Sequence, residues 1–285
     1  MTTRTRQSGG PTPQTQAQSD NSVDSSITAG SLAEFSTAID QIAQNSPGDV
    51  LWFRGCKKSS YKLSPSLFRH SSINDVDRLL ELENRLLTRF SQRALPFLSG
   101  GLPESNWERM FLMQHYGVPT RLLDWTENSF VALWFALSGP AGANEDATVW
   151  ALDPAEWNKG VFSHISFPGG ILSTEDKLLD SYKPQVQDAQ RSTMNNAPVA
   201  LYGTHNSPRI VAQRGVFTVA GKSLDPLDSF LKGGSGDAKC LNRIDIPGEH
   251  RMRVMKDLRS AGFSESMIFP DLDGLARELS YTEGF

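Results

Sequence analysis

A chain of 285 residues with a hydrophobic fraction of 38% is long enough for one large domain or two small ones. Its formal net charge of −4 argues against a nucleic-acid backbone as the dominant partner, while leaving room for a local basic patch. Two cysteines, Cys56 and Cys240, are too few for a disulfide scaffold or a four-cysteine zinc site. With no apolar leader and no run approaching about 20 apolar residues, the expectation is a cytoplasmic protein with no membrane partner and reduced thiols.

Residues 1–30 are expected to be a disordered tail. The first 26 are dominated by Thr, Gln, Ser, Gly and Pro, and cannot bury enough surface to offset the entropy of ordering. From Ser31, a candidate N-cap, Leu32, Phe35, Ile39 and Ile42 recur at helical spacing. After the turn at Pro47-Gly48-Asp49, residues 50–55 form an apolar run that predicts a strand, with Arg54 and Gly55 at its end. Arg54 has two readings: a surface arginine at a strand end, or a planar fork for a phosphate or carboxylate. Gly55 permits a turn or a close approach by a ligand.

A Pro-containing loop over residues 61–69 precedes a long helix beginning at Asn74 or Asp75 and reaching Leu98, on which Glu83 and Arg89 read as solvated charges. A second helix, 107–116, follows. Residues 114–137, QHYGVPTRLLDWTENSFVALWFAL, are the most distinctive stretch of the chain. Pro119 should end the preceding helix near Tyr116-Gly117, residues 120–126 should run extended, and 126–128 offers caps for a strongly apolar helix over 130–137. Arg121, Asp124 and Thr126 sit inside this core-like run. They form either a structural Arg121–Asp124 pair or the wall of a polar site, since an unpaired buried ion costs several kcal/mol.

Beyond it, residues 147–152 predict a buried strand, 155–197 carry no clear pattern, and 198–202 predict another strand before a turn at 205–208. Residues 209–219 read as two strand-like segments around Arg214-Gly215, with Gln213 displayed beside the glycine. A loop over 221–238 leads to a strand at 240–246, a helix at 250–261, a short strand at 267–270 and a last helix at 271–279. Early helices with a strand-rich second half indicate one α+β domain over residues 31–285, without internal repeats.

No phosphate-binding glycine loop, dinucleotide fingerprint, HExxH or GxSxG sequence occurs, and the five histidines lack ligand spacing, so no metal is expected. A hydrolase using Asp124, Asp271 and Asp273 likewise lacks a metal-binding pattern.

Phe53-Arg54-Gly55, the 114–137 block, Gln213-x-Gly215-x-Phe217 and the segment from Ile268 to Leu275 occur in the order found in the FRG domain family, which this chain resembles over roughly residues 31–285. That family is grouped by distant similarity with the ADP-ribosyltransferase fold, so the resemblance implies a split antiparallel sheet with helices, and NAD as substrate. It implies catalytic roles for Arg54, Thr126 and Gln213, with Asp124 as the source of negative charge because Gln213 is uncharged. It further implies a binding surface of Phe53, Arg54, Gly55, His115, Tyr116, Thr120, Arg121, Trp125, Thr126 and Gly215. The implied activity is transfer of ADP-ribose to a protein or nucleic-acid target, as in a toxin or antiphage effector. The alternative is a module that binds a nucleotide, nucleic acid or partner protein in the same cleft without turnover.

Overall fold

A computed structural model describes residues 26–98, 100–139, 145–185, 188–204, 207–233 and 240–285. Most of the tail expected over 1–30, and the His205 end of the 205–208 turn, lie outside the described residues. The sheet begins ahead of Ser31, because Ile27–Thr28 is already a strand (β1). Helix α1, Leu32–Asn45, is capped by the Ser31 hydroxyl, which accepts from the Glu34 amide and satisfies one of the orphan donors of the first turn. Strand β2 is Trp52–Cys56, α2 is Val76–Ala94 and α3 is Asn106–His115. The central block yields β3, Leu122–Thr126, and α4, Ser129–Leu137, with Asn128 as the cap.

Strand β4 is Ala147–Leu152. Helix α5, Pro154–Val161, and the short α6, Asp188–Arg191, occupy the stretch that showed no sequence pattern. Strand β5 is Val199–Leu201. Residues 208–213 depart from expectation: they are helix α7, Pro208–Gln213, not a strand, and β6 starts directly after it as Gly215–Val219. The Ser207 hydroxyl caps this helix and Pro208 stands at its first turn, two local signals that outweigh the alternating apolar pattern. Arg214 closes it with φ of 45°, in the left-handed region usually left to glycine. The chain ends with β7, Leu241–Ile246, α8, Arg251–Ser260, α9, Glu265–Ile268, and α10, Leu272–Thr282. The strand expected at 267–270 is therefore a second correction, since the Ser264 hydroxyl caps a helical turn there.

The strands form one open seven-stranded sheet in the order β1-β7-β4-β2-β3-β6-β5, antiparallel except for the β1–β7 edge. The fold is thus α+β, and the sheet is continuous rather than two separate sheets. Its middle is nevertheless weak. Strand β2 holds β4 through five residue pairs and β3 holds β6 through five, whereas β2 and β3 meet only at Phe53 and Thr126. Past that pair the two strands part, and the opening between them holds the candidate site.

Each face of the sheet carries its own core. Phe35, Ala38 and Ile42 of α1, the whole inner face of α4, and Val254 and Leu258 of α8 pack on one side, while Trp52, Phe111, Trp150, Trp157 and Tyr182 fill the other. Helix α4 lies directly on β2 at Gly55, where a Cβ would fall 2.0 Å from the Ala132 carbonyl oxygen and 2.6 Å from the Ala136 nitrogen. The glycine of the Phe53-Arg54-Gly55 triplet therefore admits a helix backbone. Gly55→Ala is expected to lower stability by about 1–3 kcal/mol, the usual cost of overpacking, seen as a lower denaturation midpoint with unchanged slope. An unshifted midpoint would mean the helix can slide at no cost. Among the described residues no helix is long and apolar enough to cross a membrane.

Candidate functional site

A cavity of about 690 Å³ occupies the opening between β2 and β3, within the range of small-molecule and cofactor sites. Strand β2 contributes Phe53, Arg54, Gly55 and Cys56, and β3 contributes Asp124, Trp125 and Thr126. Gly215 and Phe217 of β6, Phe111, Gln114 and His115 of α3, and Arg209, Ile210 and Gln213 of α7 complete two further walls. The segment after β2 supplies Lys57, Tyr61, Lys62, Ser64 and Arg69. Arg54, the Asp124–Thr126 stretch of β3 and Gln213, far apart along the chain, thus share one hollow. Of the wider set expected to contact a ligand, Phe53, Gly55, His115, Trp125 and Gly215 line it as well.

Arg54 spans the gap between the parting strands, its guanidinium donating to the backbone oxygen of Asp124. This bond replaces the missing strand-to-strand ladder and sets the guanidinium in the cavity wall. Burial pushes the neighbouring Cys56 thiol up, with Arg54 acting against that shift, so Cys56 stands as a protonated apolar neighbour.

Asp124 is exposed to the cavity and is oriented by a chain of three hydrogen bonds. The Leu122 amide donates to the Thr120 hydroxyl at 3.1 Å, the hydroxyl donates to Gln114 Oε1 at 2.6 Å, and Gln114 Nε2 donates to Asp124 Oδ2 at 2.6 Å. The polarity of this chain is forced. A carboxylate only accepts, so the Gln114 amide presents its NH₂ to Asp124 and its Oε1 to the Thr120 hydroxyl. Asp124 is held as an acceptor, a carboxylate with one oxygen fixed.

Thr126 and Gln213 are committed to each other and to the frame. The Thr126 hydroxyl donates to the Gln213 carbonyl at 2.6 Å and accepts from the Asn128 amide at 3.0 Å, which leaves it no donor for a ligand. The Gln213 side-chain amide donates to the Ile268 carbonyl at 3.0 Å and so fastens α9 to the cavity rim. Gln213 ends a helix instead of standing on a strand, contrary to the strand-like reading of residues 209–219. The Trp125 indole N–H is likewise taken, by Thr218 Oγ1 at 3.1 Å, so only its ring is offered to the cavity.

Three expected binding residues fall elsewhere. Arg121 is 2% exposed and binds Glu83: its Nε donates to Glu83 Oε2 at 2.8 Å and its backbone amide to Oε1 at 3.1 Å. Further donations to the Tyr182 and Ala220 carbonyls at 2.8 and 3.4 Å complete its shell. The supposed Arg121–Asp124 pair does not exist, and Glu83, read as solvated, is 1% exposed. The two carboxylates were told apart by tertiary contact alone: Glu83 lies 38 residues before its partner. Thr120 is buried beneath the cavity and acts through Gln114, while Tyr116 points outward, its ring edge against His115.

The cavity also gathers residues that the sequence reading passed over. Its charged lining is Arg54, Lys57, Lys62, Arg69 and Arg209 against Asp124, five cations to one anion in a chain whose net charge is −4. Arg209 lies 4.7 Å above the Phe269 ring, which Arg277 also approaches at 4.8 Å. Burial lowers the Arg209 pKa, and Asp271 and Asp124 act the other way. Burial, then the Arg209 charge, also pushes His115 below its ordinary value, so its imidazole is neutral at pH 7. The described residues contain no group of three or more metal-binding side chains. The arrangement suits an anionic ligand with a flat ring system, held near one oriented carboxylate.

The model of the FRG domain family matches residues 49–145, which takes in the Phe53-Arg54-Gly55 triplet and the whole 114–137 block. Arg209, Gln213 and the C-terminal segment around Phe269 lie beyond the matched stretch. No curated protein and no solved structure matches the chain.

Proposed function

Taking the FRG match over residues 49–145 as premise, we propose that this cavity binds NAD and that the protein transfers ADP-ribose from it to a protein or nucleic-acid target. The observation that carries the reading is the convergence of Arg54, Thr126 and Gln213 on one hollow beside the carboxylate of Asp124. A sheet that nearly divides between β2 and β3 is also in keeping with a split-sheet transferase fold. In the reaction the bond between ribose C1′ and the nicotinamide nitrogen breaks, and nicotinamide leaves with the electron pair. The resulting oxocarbenium carbon takes a pair from the acceptor, which then loses its proton. A fixed negative charge near C1′ stabilises that cation, and Asp124 is the cavity's carboxylate. Gln213 takes a positioning role: its amide holds Ile268 and its carbonyl holds Thr126.

The test is release of nicotinamide from NAD by purified protein in the presence of cell extract as a source of acceptor. Arg54→Ala is expected to weaken NAD binding by about 1.5–3 kcal/mol, the range for hydrogen bonds to charged groups, with the fold retained. Unchanged affinity with lowered thermal stability would make Arg54 a brace between β2 and β3 and nothing more. The second reading, a nucleotide-binding module without turnover, is favoured by the uncharged Gln213 and its engagement with the frame. Nucleotide-dependent thermal stabilisation without nicotinamide release would decide for it.

A further inference from the structure

The wall formed by the segment after β2 is built rather than loose. Leu63 and Leu67 are each 1% exposed and anchor it to the core, the Leu63 amide donates to Asp228 at 3.0 Å, and the Leu67 amide donates to the Thr120 carbonyl at 3.2 Å. On this scaffold Lys57, Lys62 and Arg69 all line the cavity. Their charges are poorly neutralised by the protein. Lys62 reaches Asp228 at 3.5 Å with its side chain 69% exposed, a pair weakened by solvent, and neither Lys57 nor Arg69 has a side-chain hydrogen bond or ion pair among the described residues. Arg54 and Arg209, in contrast, are engaged by the Asp124 carbonyl and the Phe269 ring. The Lys57 ammonium lies against Gly139 and the Lys62 ammonium near Asp228, so among the described residues this wall holds more positive than negative charge and favours an anionic ligand. Tyr61, half exposed among them, adds a ring on which a base can stack.

We propose that Lys57, Lys62 and Arg69 form a subsite for the diphosphate of a nucleoside diphosphate, so that the ligand's phosphates lie on this wall and not on Arg54. The inference rests on the reading of the cavity as a nucleotide site and specifies which part of the nucleotide lies where. It leaves Arg54 and Asp124 to face the ribose at the opening between the strands.

The experiment is calorimetric titration of the full chain with ADP, AMP and adenosine, repeated on the Lys62→Gln, Arg69→Gln double variant, whose altered side chains are solvent-exposed. The wild type is expected to bind ADP about tenfold or more tighter than adenosine, with AMP between them, and the double variant to reduce that ratio to about twofold. A wild type that binds adenosine as well as ADP, or that binds no ADP, overturns the proposal, as does a double variant that keeps the preference. Nicotinamide release in the same preparations separates the two ideas. ADP binding through the wall without release leaves the subsite standing and sinks the transfer reaction, whereas release with an unchanged KM for NAD in the double variant does the reverse.

Discussion

Asp124→Asn is expected to lower nicotinamide release by about 100-fold or more while leaving thermal stability and ADP affinity close to wild type. The two halves of this expectation come from one geometry. Asp124 faces the cavity, and its contact with Gln114 is a hydrogen bond that an asparagine oxygen can still accept, so the substitution removes the charge while keeping the contact in weaker form. Loss of structural stability in this variant would instead reveal a carboxylate that holds the fold. An unaltered rate of release would mean that the oxocarbenium is stabilised by something other than this group. The comparison is informative because the side chain next in line, Gln114, is itself neutral and fixed by Thr120, and cannot take over the charge.

The second large effect concerns stability. Arg121→Met should cost about 3–5 kcal/mol, because it leaves the Glu83 carboxylate buried without its partner. Against the roughly 5–15 kcal/mol that holds a typical domain together, such a variant stands near the edge of folding. The double variant Arg121→Met, Glu83→Leu removes both charges and should recover a substantial part of the loss in chemical denaturation. Recovery would locate Arg121 in the framework. An Arg121→Met protein as stable as wild type but unable to bind nucleotide would return it to the cavity, contrary to its position here.

Helices α1, α2 and α4 and strand β4 were legible in the sequence because each has an apolar pattern that one burial geometry explains. Phe35 and Ile42 repeat on one helix face, and every residue of Ala147–Leu152 is buried. Helices α7 and α9 were misread for the opposite reason. They are six and four residues long, too short for a period to emerge, and the local signals were the capping serines at 207 and 264 together with Pro208. That Arg54, Asp124, Thr126 and Gln213 would line one cavity was expected from their place in ordered motifs. Arg121 was misplaced because its partner Glu83 sits on helix α2, 38 residues earlier, and no local rule distinguishes a carboxylate turned inward from one turned to water. Lys62 and Arg69 were invisible as site residues, since only the anchoring of Leu63 and Leu67 turns an ordinary Pro-containing loop into a cavity wall.

The single Phe53–Thr126 contact in mid-sheet has a mechanical meaning. A ladder normally transmits load from strand to strand, and here that transmission passes through one backbone pairing and the Arg54 guanidinium. Helix α4 packs on both strands and spans this seam from one face. A molecule lodged between β2 and β3 would add a tie from within the hollow, so occupancy is expected to stiffen the seam and raise the denaturation temperature.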